Sequence, residues 1–150
     1  MPENHQQEIL KLHTPRFGAI EVPATQVITM PLGLVGFPRL NRYIIMEHRP
    51  GSPFHWLQSL DQPELAFVIT DPLVFDPGYQ LVLSGSDTKL LEVGDPRDLQ
   101  VWVLVTIPAG NPEGMTANFK APVVLNLRNR VAAQVILDDA RWSLRQPLKK

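Results

Sequence analysis

The clearest pattern in the chain is the alternation in "LQVWVLVTIP", residues 99–108. Val101, Val103, Val105 and Ile107 form one β-branched face, while Gln100, Trp102, Leu104 and Thr106 form the other. Both faces are rich in apolar residues, which predicts a central strand covered on both sides. Shorter runs of the same kind recur, each closed by proline, glycine or aspartate. They are "EILKLHT" (8–14), "FGAIEV" (17–22), "QVITM" (26–30), "YIIMEH" (43–48), "FHWLQSL" (54–60) and "LAFVIT" (65–70). "YQLVLSG" (79–85) and "TKLLEV" (88–93) read as strands by the same rule. "PLGLVGFPRL" (31–40) has two glycines and two prolines around its apolar residues and predicts a shaped loop. The best helical candidate is a single turn around Pro38–Arg42. "DDARWSLRQPLKK" (138–150) fits either a final strand or a half-ordered tail.

"APVVLNLRNRVAAQVIL" (121–137) predicts a hairpin whose register follows from keeping one face apolar. A three-residue loop at 128–130 pairs Leu127 with Val131, Leu125 with Ala133 and Val123 with Val135, and places Asn126 and Gln134 on the opposite face. A one-residue slip would exchange the faces. A two-residue loop at Asn129-Arg130 would mix Asn126 into the apolar set.

Fifteen prolines and nine glycines are spread through the 150 residues, cutting the chain into short segments. The expected fold is all-β, a small antiparallel barrel or sandwich with little helix. One domain over 1–150 with short flexible polar termini fits this length. With no cysteine, disulfides, thiolate metal sites and cysteine nucleophiles are excluded. The polar start "MPENHQQEILKLHT" lacks the apolar core of a signal peptide. No run approaches the ~20 apolar residues of a membrane helix. A soluble, cytoplasmic protein is expected.

The net charge of −1 conceals a division along the chain. Residues 61–100 hold eight acids against two bases, whereas 101–150 hold three acids against seven bases. An acidic middle and a basic end change the partner question more than the total does. The strand aromatics Trp56, Phe67, Trp102 and Phe119 lie mainly in or beside the acidic part, which disfavours a basic, aromatic nucleic-acid groove.

Catalytic chemistry finds no assembled set. Ser59, Ser84 and Ser86 sit in no G-x-S-x-G elbow. No acid is spaced to orient a histidine. His48 and His55 flank a proline-glycine turn and can face each other there, but two ligands do not make a metal site. Aspartates beside prolines, such as Asp71, read as turn caps. No catalytic residue, metal or cofactor is expected.

Protein recognition remains. Leu34 and Phe37, apolar residues on a glycine-rich loop, are either a plug for the barrel end or an anchor for a partner. Trp56 and Gln58 share one face of their strand, leaving Leu57 and Phe67 for the core. Asp71 closes a strand and can present its acid nearby. Asn118 and Asn126 sit on or beside apolar strands, where a buried amide needs partners.

In order along the chain, "FGAIEV" (17–22), "PLGLVGF" (31–37), "PFHWLQSL" (53–60), "LAFVITDP" (65–72), "YQLVL" (79–83), "VLVTIP" (103–108), "MTANFKAPVVLN" (115–126) and "QVIL" (134–137) resemble the bacterial flagellar assembly factor family, FliW. W-L-Q-S joined to F-x-x-x-D-P and to T-x-N-x-x-A-P carries most of the specificity. The sequence departs from the family at Phe119, where leucine is expected. The resemblance implies a noncatalytic β-barrel that binds the RNA-binding translational repressor CsrA and also binds newly made flagellin. Flagellin taking up the factor frees CsrA to repress flagellin translation, and flagellin export reverses the exchange. On this basis the leading partner-binding residues are Leu34, Phe37, Trp56 and Gln58, with Asp71, Asn118 and Asn126 secondary. No direct nucleic-acid, membrane or small-molecule partner is implied. The family also implies that acidic charge on the factor disfavours RNA. Here only the 61–100 segment supplies such charge, over about one Debye length, roughly 8 Å. A dedicated flagellin chaperone without a regulatory partner is the alternative.

Overall fold

The computed structural model describes residues 8–148. The expected flexible polar termini fall largely on 1–7 and 149–150, outside the described residues. Two strands, β1 (Ile9–Thr14) and β2 (Gly18–Pro23), pair as a separate antiparallel hairpin. The barrel begins with β3 (Ile28–Thr29), β4 (Arg42–Glu47), β5 (Phe54–Ser59) and β6 (Ala66–Thr70), each antiparallel to the next. The strongest alternating run forms β7 (Leu99–Thr106), which pairs with β6 through Val103–Val105. Its other edge takes β8 (Thr116–Ala117) and then β9 (Val123–Asn126). From β9 the chain turns into β10 (Val131–Gln134), and Val131 meets Thr29 of β3 in parallel, closing the barrel. A last short strand, β11 (Gln146–Pro147), pairs with β8. The fold is the expected β-barrel, antiparallel apart from its β3–β10 join.

Strands β3 to β7, β9 and β10 each place a buried side chain in one interior cluster: Ile28, Tyr43, Leu57, Ile69, Trp102, Val123, Leu125 and Ala132. The outward face of β7 is covered too. Val103 is fully buried in a second cluster with Phe119, Val124, Ala133 and Trp142, and Val101 and Val105 pack against it. Phe119 fits here as an aromatic residue, edge-on to Tyr79 at 5.1 Å and near Trp142. The β1–β2 hairpin covers the outer face of β4 with Val22, Leu10, Leu12 and Ile20 against Ile44 and Leu60.

Three element assignments are corrected. Residues 88–90 of "TKLLEV" belong to a helix, α2 (Gly85–Leu90), which follows α1 (Pro72–Phe75). The Ser84 hydroxyl accepts the Asp87 N–H at the helix start, and Leu91 at its end is fully buried. Local capping thus outweighs the apolar pattern. "YQLVLSG" runs without joining any sheet, and Pro38–Arg42 makes a turn rather than a helical turn.

The β9–β10 hairpin has a four-residue connection, with Asn126 opposite Val131, Leu125 opposite Ala132 and Val123 opposite Gln134. Both faces of this hairpin are buried, so keeping one face apolar did not discriminate between registers. The turn decides. Arg130 adopts φ +61° and its N–H donates to Asn126 O, while the Asn126 and Asn129 side chains accept the N–H groups of Arg128 and Val131. Among the described residues, no helix is long and apolar enough to cross a membrane.

Candidate protein-docking site

The loop from Pro31 to Leu40 is built as a rigid display. Gly33 sits at φ +64°, and a Cβ there would lie 2.2 Å from Phe37 O. Only glycine satisfies both the left-handed backbone and this close approach. Leu34 and Phe37 face each other in an isolated bridge, with Phe37 N–H donating to Leu34 O at 2.8 Å. Leu34 is buried in the barrel interior, and Phe37 packs edge-on to Phe67 at 5.5 Å. The plug reading therefore describes Leu34, whose side chain has no surface to offer a partner in this conformation.

Side chains from elsewhere tie down the rest of the loop. Asn41 Nδ2 donates to Met30 O at 2.8 Å, and Val35 N–H donates to Gln134 Oε1 at 2.9 Å. Gln134 is itself held by donating to Ala121 O. The Asp61 carboxylate accepts from the Asn41 and Arg42 N–H groups and from Arg42 Nε at 2.9 Å. Partial burial works against that carboxylate, but these hydrogen bonds and the Arg42 charge outweigh it and hold its pKa below the usual 3.8. The products of this bracing are Leu32, 66% exposed, and Val35, 71% exposed. Sequence reasoning missed both. The signal was present in "PLGLVGF", but two positive-φ glycines break the period of 2 that assigns side chains to faces.

Trp56 belongs to another surface. Its ring is edge-on to Phe17 at 5.6 Å, the Arg16 guanidinium lies 4.7 Å from its centroid, and His48 is 6.1 Å away. Trp56 opposes Val68 and Leu57 opposes Phe67 in the β5–β6 register, so Trp56 and the Phe37–Phe67 pair occupy opposite faces of the sheet. Gln58 shares the Trp56 face but is fully buried. Its Nε2 donates to Ser59 O, Pro63 O and Leu65 O, shaping the β5–β6 turn. His55 packs on Trp102 at 4.8 Å while His48 lies beside Trp56, so the two histidines do not face each other.

The secondary residues are dispersed. Asp71 accepts the Leu73 N–H at the start of α1. Asn118 Oδ1 accepts the Ala121 N–H, holding the bend between β8 and β9. Asn126 is buried and donates to Leu91 O at 2.9 Å, pinning the end of α2 to the barrel. The satisfied-network reading fits Asn126. Among the acids of 61–100, Asp61 and Asp95 are paired with Arg42 and Arg97, and Asp76 caps a turn through Gly78 N–H. Inside the barrel, burial and then the Asp61 charge push the Tyr43 hydroxyl up to about 12.

The surface thus offers apolar side chains on a braced scaffold, which suits recognition of another protein. The family model for "FliW protein" matches residues 11–148. The flagellar assembly factor FliW of Syntrophus aciditrophicus is 38% identical over 141 residues, covering 94% of this chain and 89% of that protein. That of Alkaliphilus metalliredigens is 41% identical over 128 residues, covering 85% and 78%. A crystal structure of the flagellar assembly factor FliW superposes with a TM-score of 0.85 at 27% identity, covering 94% of this chain and 98% of that one. The chain belongs to the FliW family of flagellar assembly factors.

Proposed function

We propose that this protein is a noncatalytic partner-switching regulator in the cytoplasm. It binds CsrA and flagellin in exchange, and its binding to CsrA relieves repression of flagellin translation. Membership of a family named for flagellar assembly supports the setting. The observation that carries the docking role is the braced 31–40 loop, which holds Leu32 and Val35 in solvent. Preorganised apolar anchors lose little entropy on binding, and interfaces concentrate their energy in a few such side chains.

The anchors in this reading are Leu32 and Val35, flanked by Phe37. Trp56 contributes from the opposite sheet face, so the protein has room for two partner surfaces. Asp71 and Asn118 are half-buried and hold local backbone at secondary positions. Leu34, Gln58 and Asn126 act from inside, by fixing the loop, the β5–β6 turn and the α2 end. The test is calorimetric titration with CsrA from the same bacterium, repeated with flagellin prebound. Tight CsrA binding that flagellin abolishes is the expected result. CsrA failing to bind while flagellin binds would replace this reading with a dedicated flagellin chaperone.

A further inference from the structure

The turn joining β1 to β2 carries Arg16 and Phe17, and its own hydrogen bonds fix where they stand. The buried Thr14 hydroxyl accepts the Phe17 N–H at 2.8 Å and donates to Gly18 O, while Gly18 takes φ +69° to reverse the chain. The turn thereby reaches over β5, where the Trp56 ring meets Phe17 edge-on at 5.6 Å and the Arg16 guanidinium at 4.7 Å. A second turn, after β4, brings His48 to 6.1 Å from the same ring. That turn is held in its own way: Ser52 N–H donates to Arg49 O, and Ser52 Oγ accepts the Phe54 N–H. Across the sheet Trp56 opposes Val68 and Val68 opposes Val105, both half-buried, so the outer face continues as apolar surface.

The charge at this corner is unmatched. Arg16, His48 and Arg49 are exposed, and no carboxylate pairs with any of them among the described residues. The acids next to them in the strands face elsewhere. Glu47 opposes His55, on the other face of the sheet from Trp56, and Glu21 opposes Lys11 on the hairpin face turned away from the barrel. An arginine held against an indole keeps a weakly hydrated charge in place and leaves its fork of N–H donors for a carboxylate. We propose that the Arg16–Trp56 corner is a docking site for an acidic segment of a partner protein. A glutamate or aspartate carboxylate of that segment accepts two N–H groups of Arg16, and a neighbouring apolar side chain rests on Phe17 and the Trp56 edge. Arg49 adds positive charge beside them. Charge complementarity selects this occupant over a nucleic-acid strand, which needs a continuous basic groove and open rings for its bases. Here Arg16 already covers an indole face. The site is separate from the 31–40 loop; it rests on the reading of Trp56 as a second partner surface and gives that surface its chemistry.

The test is an NMR titration of the full chain with a capped eight-residue peptide carrying three glutamates and two leucines. A control peptide has glutamine for each glutamate, and a single-stranded RNA octamer is titrated beside them. The expected result is shifts at the Trp56 indole N–H and the Arg16 and Phe17 amides with the glutamate peptide alone, shrinking as salt is added. Arg16→Gln should weaken that binding about fivefold, the worth of one exposed ion pair. Arg16→Lys should fall between, because it keeps the charge and loses the planar fork. Absence of shifts at Trp56, equal binding of the glutamine control, or Arg16→Lys binding as well as the parent would overturn the proposal. Larger shifts from the RNA would overturn it in favour of a nucleic-acid site. Shifts at Trp56 on concentrating the protein alone would overturn it in favour of a second copy as occupant. The peptides carry no CsrA or flagellin sequence, so this titration and the calorimetric exchange can fail independently.

Discussion

The 31–40 loop and the 80–84 stretch both leave branched apolar side chains in water, yet they are held in opposite ways. In the first, the backbone is held at Gly33, Val35 and Phe37 and at its ends by Asn41 and the Asp61–Arg42 pair, and the side chains of Leu32 and Val35 stand out from it. In the second, the side chains of Leu81 and Leu83 anchor on the core while the main chain is free. Exposure alone therefore does not say what a surface recognises. The first presents side chains on a held backbone, and the second presents main-chain groups that have no partner of their own.

Substitutions should separate the two. Gly33→Ala is expected to have the largest effect, a loss of about 3 kcal/mol by chemical denaturation, because it adds left-handed strain to a clash with Phe37 O. A neutral result would show that the loop adjusts freely and is not a rigid display. Next is Asn126→Ala, which removes the acceptor of the Arg128 N–H and leaves Leu91 O with only the 3.2 Å bond from Asn129 Nδ2, and should cost about 2 kcal/mol. Faster hydrogen exchange should follow at the 127–130 turn and the end of α2, with the 31–40 loop unchanged. Gln134→Ala should cost about 1 kcal/mol. It removes the acceptor of the Val35 N–H, so exchange should accelerate at Val35 and stay as it was at 80–83. Val35→Asp should stay within about 0.5 kcal/mol of the parent in stability, yet lower CsrA or flagellin affinity in calorimetry.

The smallest effect is in pH. Asp61 has a folded pKa below its ordinary 3.8, so its contribution is complete above that value and is lost as pH falls through the lower folded one. Acid titration of Asp61→Asn should lack this component of the stability slope. An unchanged slope would mean that the carboxylate does not brace the loop entry.

Much of the barrel was legible in the sequence because its strands obey a period of 2 and stop at proline, glycine or aspartate. The two-sided burial of β7 was visible in residues 101–105, although Ile107, read as part of the same face, lies past the strand end and is 47% exposed. What escaped was set by local bonding and by the third dimension. Ser84 and Asp87 nucleate a helix where the apolar pattern of "TKLLEV" suggested a strand. Asn126, Asn129 and the left-handed Arg130 set a register that two-sided burial had hidden from the polarity pattern. In the docking loop, the composition marked the right segment but not its outward residues, because glycines at 33 and 36 reset which side chains face out. The unpaired edge at 80–83 has no sequence signature of its own, since a missing neighbour is a property of topology.

Amide hydrogen exchange on the full chain tests the contrast most directly. If one connection displays side chains and the other displays backbone, Val35 and Phe37, whose N–H groups are bonded to Gln134 and Leu34, should exchange slowly. Gln80, Leu81, Val82 and Leu83 should exchange at rates near those of an unstructured peptide. Equal protection of the two stretches in the isolated protein would contradict the account.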